Sequence, residues 1–348
     1  MEILNPNTIK NLFTTHKETS LFGKWIRHQD ILPLLDQLPN SFQKSEVGNS
    51  VEGRSISTVT FGNGPKQVFV WSQMHGNEST GTKALFDLLN LLNSNSEISK
   101  EIAKNCTLTF LPMLNPDGAE RYTRVNANEV DLNRDAVDLS QVESKVLRKV
   151  LEDIHPQFCF NLHDQRTIFG VEGTKNPATL SFLAPSEEVT KKITKGRKET
   201  MNVIVAMNQL VQQIIPEHIG RYTDEFYPTA TGDNFQKLGY NTVLIESGHY
   251  PDDYVREKSR EYTFYALLQG IHHIATSDSF SDYEEYFSIP NNDKLFLDVI
   301  HRYENGKDIG FLYKDEIMEN RLVSHLVQES DYYISNKIGH LEIVFETK

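Results

Sequence analysis

Four short apolar segments stand out along the chain, and each has the length of a buried β-strand. They are QVFVWSQ (67–73), TLTFLPML (107–114), FCFNLH (158–163) and NTVLIES (241–247). Apolar runs of this length between polar segments are typical of strands that are covered on both faces. The stretch 53–70 before the first of them predicts a β-hairpin that turns at Gly62-Asn63-Gly64.

Between these strands the apolar positions recur three and four residues apart, which is the spacing of an α-helix. One helix is predicted after Glu78, and a second from Ser140 to Pro156, where Ser140 and Glu143 would form a capping box. Two more are predicted within 190–215 and 261–277. Strands that alternate with helices indicate an α/β fold with a largely parallel sheet and helices on both faces.

The pattern changes near residue 278. A polar stretch follows, and from Lys294 onward short strand-like runs such as LFLDVIHRY and LEIVF are separated by turn residues. We therefore divide the chain into a main domain, 1–278, and a small β-rich appendage, 279–348. Because so small a unit buries little core of its own, we expect it to dock on the main domain.

Charge and composition exclude several classes of partner. The formal net charge is −13, which argues against nucleic acid, and no apolar stretch approaches the length of a membrane span. The N-terminus has no signal-peptide pattern. Cys106 and Cys159 lie in strand-like runs and are expected to be buried free thiols, so a cytoplasmic location is the expectation. The sequence does not determine the oligomeric state.

Three of the four predicted strands end on a cluster of polar side chains: His75 with Glu78, His163 with the next residue, and Glu246. Ligands of α/β sheets bind beyond the carboxyl ends of the strands, and catalytic zinc takes three protein ligands and keeps a fourth position open. His75 and Glu78 can supply two ligands, and His163 a third. Asp131 is a candidate to hold one of the histidines through its second ring nitrogen. Taken singly, each has a plainer interpretation: a chance His-x-x-Glu pair, or a hydrogen-bonded core histidine.

Taken together, these segments resemble the zinc carboxypeptidases, the funnelin-type metallopeptidases, over roughly residues 50–275. The segments that carry the resemblance are EGRSI (52–56), HGNE (75–78), NPDG (115–118), RVNANEVDLNR (124–134), NLH (161–163), TGDNF (231–235) and VLIES (243–247). The resemblance implies a three-layer α/β/α sandwich around a mixed, largely parallel sheet. It also implies one zinc ion, held by His75, Glu78 and His163.

The same resemblance implies a role for five further residues. Glu246 would be the general base that activates a zinc-bound water, and Arg124 would stabilise the oxyanion. Asn133 and Arg134 would bind the free C-terminal carboxylate of a peptide substrate. Tyr227 would close over the bound chain, with Tyr222 as the competing position.

The implied activity is removal of C-terminal residues from peptides. Two alternatives within the same chemistry stay open: hydrolysis of cell-wall muropeptides and deacylation of N-acyl amino acids. A third is an inactive relative that binds zinc or peptide ends. Asp233 would favour a basic or amino-bearing side chain if it faces the pocket for the released residue.

Overall fold

The computed structural model describes residues 1–304, 307–329 and 334–345. Its α-helices are α1 (Pro6–His16), α2 (His28–Asp36), α3 (Thr80–Leu92), α4 (Glu97–Asn105), α5 (Pro116–Arg121), α6 (Val142–Ile154), α7 (Lys195–Val211), α8 (Thr231–Lys237) and α9 (Glu257–Thr276). The strands of the main part are β1 (Phe42–Asn49), β2 (Ser55–Phe61), β3 (Lys66–Trp71), β4 (Cys106–Leu111), β5 (Phe158–Asp164), β6 (Phe169–Val171), β7 (Leu180–Leu183), β8 (Ile219–Arg221) and β9 (Asn241–Ser247). Those nearer the C-terminus are β10 (Asn292–Lys294), β11 (Phe296–Tyr303), β12 (Ile309–Met318), β13 (Arg321–Gln328) and β14 (Ile338–Phe345).

Eight strands form the central sheet, in the order β1-β2-β4-β3-β5-β9-β7-β8. The β3–β4, β3–β5, β5–β9 and β7–β8 pairs are parallel, and the β1–β2, β2–β4 and β7–β9 pairs are antiparallel. Side chains of β3 alternate between two cores, as the period of a strand requires. Val68 and Val70 face a core shared with α3, α7 and α9, whereas Phe69 and Trp71 face a core shared with α6. The predicted mixed α/β sandwich is confirmed.

The hairpin predicted at Gly62-Asn63-Gly64 is wrong, because β2 and β3 do not pair. Strand β4 lies between them, antiparallel to β2 and parallel to β3. The glycine turn packs against the start of β4 instead: Gly64 donates its N–H to Cys106 O at 3.1 Å. A Cβ at Gly64 would lie 2.1 Å from the carbonyl carbon of Asn105, so the close approach requires glycine. The hairpin in this region joins β1 and β2.

The capping box predicted at Ser140 and Glu143 is also wrong. Helix α6 begins at Val142, and its N-cap residue, Gln141, makes no side-chain capping bond. Glu143 accepts instead from Val51 N and from Asn126 Nδ2, both at 3.0 Å. Two longer-range partners therefore outcompete the local motif. The helix predicted within 190–215 is shorter, Lys195–Val211, and the last packed helix begins earlier, at Glu257.

A second sheet of four strands, in the order β13-β12-β11-β14, forms the β-rich C-terminal region. The segment before it packs on the main part: β10 pairs with β6, and Tyr286 and Ile289 belong to the main core. The division of the chain at 278/279 stays a prediction.

The structure also bears on the expected state of the two cysteines and on the search for a membrane span. Cys106 and Cys159 are both buried and free, as expected. Over the part of the chain that the structure describes, no helix combines the length and apolarity needed to cross a membrane.

Candidate active site

The turn that carries His75 and Glu78 connects β3 to α3 and packs tightly on a neighbouring loop. A Cβ at Gly76 would lie 1.9 Å from the carbonyl carbon of Gly118, so the HGNE and NPDG segments touch backbone to backbone. Asn115 links the two segments, because its Nδ2 donates to Met74 O at 3.2 Å. Its Oδ1 also accepts from Gly118 N at 2.8 Å. Gly76 and Asn115 thus hold the turn that carries His75 against the NPDG loop.

The EGRSI segment supports the same loop from the other side. Asp117 is buried and accepts from the Ser50 hydroxyl at 2.7 Å, from Glu52 N at 2.9 Å and from Arg54 Nη1 at 2.6 Å. The Glu52 backbone and the Arg54 side chain of this motif, with the preceding Ser50, therefore hold the NPDG loop in place.

Three potential metal ligands converge at the carboxyl ends of β3 and β5. The Nδ1 atoms of His75 and His163 are 3.1 Å apart. Glu78 lies between them, with Oε1 2.9 Å from His75 Nδ1 and Oε2 2.8 Å from His163 Nδ1. All three side chains are buried, and together they form a group that could hold a metal ion.

The hydrogen bonding of His75 shows that this group fits a cation. Its Nε2 donates to Asp131 Oδ1 at 2.9 Å, so in the neutral ring the Nδ1 lone pair points at the Glu78 carboxylate. Burial opposes a charge on His75, but Glu78 and Asp131 outweigh burial and raise its pKa. Burial would likewise raise the pKa of Glu78, yet the two imidazoles hold it well below its usual value. The Glu78 carboxylate therefore stays ionised between the two rings, whereas burial lowers the pKa of His163 and favours its neutral ring. Two neutral imidazoles with one carboxylate are a zinc-type donor set.

Glu246 lies on β9, directly opposite His163 on the neighbouring strand β5. Its side chain is half-buried and lines the cavity that contains the three potential ligands. Burial raises the pKa of Glu246 well above its usual value, and the nearby Glu78 and Asp164 carboxylates add to the shift. A carboxyl group with a raised pKa can both accept and return a proton near neutral pH.

Arg124 lies beside the potential ligands. Its Nη1 donates to Glu78 Oε1 at 3.1 Å and its Nε to Asp131 Oδ2 at 3.0 Å. The sequence predicted its presence at the site but not these two partners.

Asn133, Arg134 and Tyr227 lie together at the cavity surface. Asn133 Oδ1 accepts from Thr231 N at 2.9 Å, which leaves the amide hydrogens of Asn133 to donate elsewhere. The guanidinium of Arg134 lies 6.0 Å from the Tyr227 ring, and its Nη1 donates to Asn133 O at 2.7 Å. The Tyr227 hydroxyl donates to Glu225 Oε2 at 2.8 Å, and its ring is half-exposed.

A single cavity of about 770 Å³ is lined by all eight of the predicted site residues. They are His75, Glu78, Arg124, Asn133, Arg134, His163, Tyr227 and Glu246. Tyr222 and Asp233 line it as well.

Sequence reasoning missed further lining residues. Asn161 is fully buried, and neither polar atom of its side chain has a hydrogen-bond partner. Its position two residues before His163, on the same face of β5, was the available signal. Lys24 and Tyr313 also line the cavity, but each lies far along the chain from the recognised segments, and no local pattern marks them. Arg256 lines it too, nine residues after Ser247, whose backbone oxygen accepts from its guanidinium.

Comparison with known proteins bears directly on this site. Residues 29–164, which contain the HGNE turn, the NPDG loop and His163, match the family model described as zinc carboxypeptidase. The resemblance to the zinc carboxypeptidase family is confirmed. Since that family is one of zinc enzymes, the chemistry of the donor set and the family agree.

Individual carboxypeptidases show how far the likeness extends. The chain is 29% identical over 163 residues to carboxypeptidase SOL1 of Arabidopsis thaliana, which is 41% of this chain and 33% of that protein. It spans a third or less of the length of the first curated relatives that it matches.

Two solved structures share the fold. A metallo-carboxypeptidase from Burkholderia cenocepacia superposes with a TM-score of 0.57 at 21% identity, over 71% of this chain and 68% of that chain. Carboxypeptidase A from Helicoverpa armigera gives a TM-score of 0.58 at 16% identity, over 78% and 80%. At these identities the likeness concerns the zinc carboxypeptidase fold alone.

Proposed function

We propose that this protein is a zinc-dependent metallocarboxypeptidase that hydrolyses the C-terminal peptide bond of its substrates. The observation that carries the proposal is the convergence, in one cavity, of a zinc-type donor set, a carboxylate of raised pKa and a guanidinium that can bind a carboxylate. Each of the three is common alone, whereas their combination matches the needs of an exopeptidase.

His75, Glu78 and His163 are the residues that would hold the metal, and Asp131 would orient His75. A bound zinc ion supplies Lewis-acid chemistry: it polarises a carbonyl oxygen and lowers the pKa of water. Glu246 then has the role of the proton carrier, which takes a proton from the attacking water and returns it to the leaving amine.

Arg124 places a positive charge beside the donor set, where negative charge develops when a carbonyl is attacked. A fixed cation at that position stabilises the transition state more than the ground state. We propose this role for Arg124 in addition to its bonds with Glu78 and Asp131.

Arg134 and Asn133 would bind the terminal carboxylate. In the described part of the chain, the Arg134 guanidinium is seen to donate to a backbone oxygen and to lie near a tyrosine ring, and no carboxylate side chain pairs with it. Its planar fork of N–H groups suits a carboxylate, and the Asn133 amide can add a neighbouring donor. This arrangement would select peptide ends over internal bonds.

The first test uses a mixed peptide library and the zinc-loaded protein, with cleavage followed by mass spectrometry. We expect stepwise loss of C-terminal residues from free peptides and no cleavage of the same library with amidated C-termini. Internal cleavage, or equal cleavage of both libraries, would contradict the proposal. If neither library is cleaved, muropeptides and N-acyl amino acids are the next substrates to assay.

Arg134→Lys tests the carboxylate-binding role. Lysine keeps the charge but loses the bidentate geometry, and a hydrogen bond to a charged group contributes about 1.5–3 kcal/mol, so kcat/KM should fall about 10- to 100-fold. Zinc content should not change. Arg121→Lys is the matched control, because Arg121 is exposed and pairs with Glu52 away from the cavity lining. Equal kinetics of the Arg134 variant and the wild type would remove Arg134 from the site.

A further inference from the structure

One wall of the active-site cavity is built by the C-terminal sheet. Four consecutive residues of β12 line the cavity together with the potential metal ligands: Leu312, Tyr313, Lys314 and Asp315. Asp298 of β11 lines it as well. In α/β sheets the ligand site lies beyond the carboxyl ends of the strands. In this chain the second sheet covers part of that region.

Asp315 fixes the wall to the main part of the protein. It forms an ion pair with Lys24 and accepts from the Tyr122 hydroxyl at 3.3 Å. Tyr122 is two residues before Arg124, so this contact joins the wall directly to the segment that carries a predicted catalytic residue.

Asp298 makes a second attachment. It is 1% exposed, and it accepts from the Tyr254 hydroxyl at 3.1 Å and from Tyr313 N at 2.8 Å. The Tyr254 and Tyr313 rings meet edge to face with centroids 5.0 Å apart. Tyr313 is thus held through both its backbone and its ring.

His340 of β14 makes a third attachment. Its Nε2 donates to Thr167 O at 2.9 Å, three residues after the last residue of β5. Its ring stacks on Phe296 at 4.5 Å and meets the His249 ring at 4.2 Å. Three separate contacts therefore hold the wall against the loops that surround the metal-binding group.

We infer that this wall limits the substrates to short peptides, and that Tyr313 and Lys314 contact the residues upstream of the cleaved bond. The inference rests on the proposed function. We place the wall upstream of the cleaved bond because, among the described residues, its attachments include Tyr122, two residues before Arg124, and none of Asn133, Arg134 or Tyr227. A peptide with its carboxylate at Arg134 and its last peptide bond at the metal-binding group extends upstream into the rest of the cavity.

The size of the cavity supports a short occupant. About 770 Å³ lies within the range of roughly 300–1,000 Å³ that is common for sites of small ligands. In the inferred orientation a long polypeptide would run past the half-exposed Tyr313 and the exposed Lys314, where the fixed wall would oppose it sterically.

The test is a series of peptides that share their two C-terminal residues and differ in upstream length from none to ten added residues. For the wild type, kcat/KM should fall about tenfold or more between the short and long members, the size of effect that one misfitting contact produces. In Tyr313→Ala the ratio of kcat/KM for long peptides to that for short peptides should rise by a similar factor. Lys314→Ala should raise it in the same direction, and this exposed side chain offers a second variant if Tyr313→Ala does not fold.

Val323→Ala is the control, because Val323 lies on β13 of the same sheet, is exposed and does not line the cavity. It should behave as the wild type at every length. A wild-type kcat/KM that does not vary with length would overturn the inference, as would wall variants that leave the long-to-short ratio unchanged.

Calorimetry with the same peptides separates this inference from the proposed function. If the zinc-loaded protein cleaves no peptide of any length, the proposed function fails. The dissociation constants of the wild type and of Tyr313→Ala then decide the role of the wall: weaker wild-type binding of long peptides, relieved in the variant, supports it. Length-independent binding, or no binding of any peptide, rejects it.

Discussion

Each ring nitrogen of His75 has a different partner, and these contacts orient the imidazole in the candidate metal site. Asp131 accepts from Nε2, while Nδ1 faces Glu78 and His163. Asp131 also accepts from Arg124 Nε and from Asn133 N. One carboxylate thus connects a potential ligand to two residues with proposed roles in catalysis and substrate binding.

Replacing this carboxylate should weaken metal binding. Burial would raise the pKa of Asp131, but His75 and Arg124 lower it far below its usual range, so the group is an anion at any ordinary pH. Asp131→Asn keeps the size and removes the charge, and we expect zinc affinity to fall about 10- to 100-fold. Competition against a chromophoric chelator measures this. Asp138→Asn, at an exposed carboxylate nearby, should bind zinc as the wild type does, and unchanged affinity in Asp131→Asn would show that this carboxylate does not support the ligand.

At the residue scale the sequence was highly informative, because the ligand motifs are local and lie at the ends of recognisable strands. It identified the eight residues that the structure brings to one cavity, although their roles remain predictions. It did not show that Arg124 contacts Glu78, since that bond joins residues 46 positions apart. Nor did it single out Asn161, whose unpaired amide becomes notable only when its burial is known.

Buried charged groups join helices α3 and α9. Arg260 forms hydrogen bonds with both oxygens of Asp87 at 2.6 and 2.7 Å, and both side chains are fully buried. Glu257 pairs with Lys83 at 2.7 Å and with Lys17 at 2.8 Å. Because α9 begins ten residues after Ser247, the end of β9, these ion pairs also fix the element that follows Glu246.

The Glu257 cluster should make stability depend on acidity. Burial raises the pKa of Glu257, but Lys83 and Lys17 outweigh it and lower the pKa to about 2, below the usual value for glutamate. The unfolded state therefore takes up this proton first, and the stabilisation present at neutral pH is lost as pH falls from about 5 toward 2. Urea denaturation at several pH values should show a shallower acid loss of unfolding free energy in Glu257→Gln than in the wild type. The exposed Glu152→Gln should match the wild type, and identical pH slopes for all three proteins would refute the assignment.

At the element scale, hydrophobic periodicity predicted the strands and helices. Two local motifs, however, gave wrong predictions of a hairpin and of a helix cap. The Gly-Asn-Gly turn was a hairpin signal, but β4 inserts between the flanking strands and the glycines allow its close approach. The Ser140–Glu143 pattern was a capping signal, but Glu143 is used by Val51 and Asn126. In both cases tertiary contacts override a short-range preference.

The segment between α9 and the C-terminal sheet belongs physically to the main core. Tyr286 is 1% exposed, its hydroxyl accepts from Ala184 N at 3.1 Å, and β10 pairs with β6. Phe287, the next residue, is 46% exposed. The two neighbouring aromatic residues therefore offer a matched comparison.

Tyr286→Ala should destabilise the protein by about 3–5 kcal/mol, because it leaves a large cavity in the main core. Phe287→Ala should change the free energy of unfolding by about 0.5 kcal/mol or less. Chemical denaturation of both variants measures the difference. Equal effects would mean that this segment does not pack on the main core as the structure shows.

The arrangement of the whole molecule was the least predictable from sequence. The docking of the β-rich region was expected from its small size, but its position was not. The contacts that place β12 at the cavity join Asp315 to Lys24, 291 residues away, and to Tyr122, 193 residues away. No local pattern encodes such pairings, so the wall of the active site became visible only in three dimensions.

The central claim is that a zinc ion at His75, Glu78 and His163 works together with Glu246 to remove C-terminal residues. The most direct measurement compares the wild type with Glu246→Gln, determining zinc content by mass spectrometry and cleavage of one peptide with a free C-terminus in the same samples. We predict one zinc ion per chain in both proteins, release of the C-terminal residue by the wild type, and its loss in the variant. Wild-type rates in Glu246→Gln, or no cleavage by the zinc-loaded wild type, would contradict the claim.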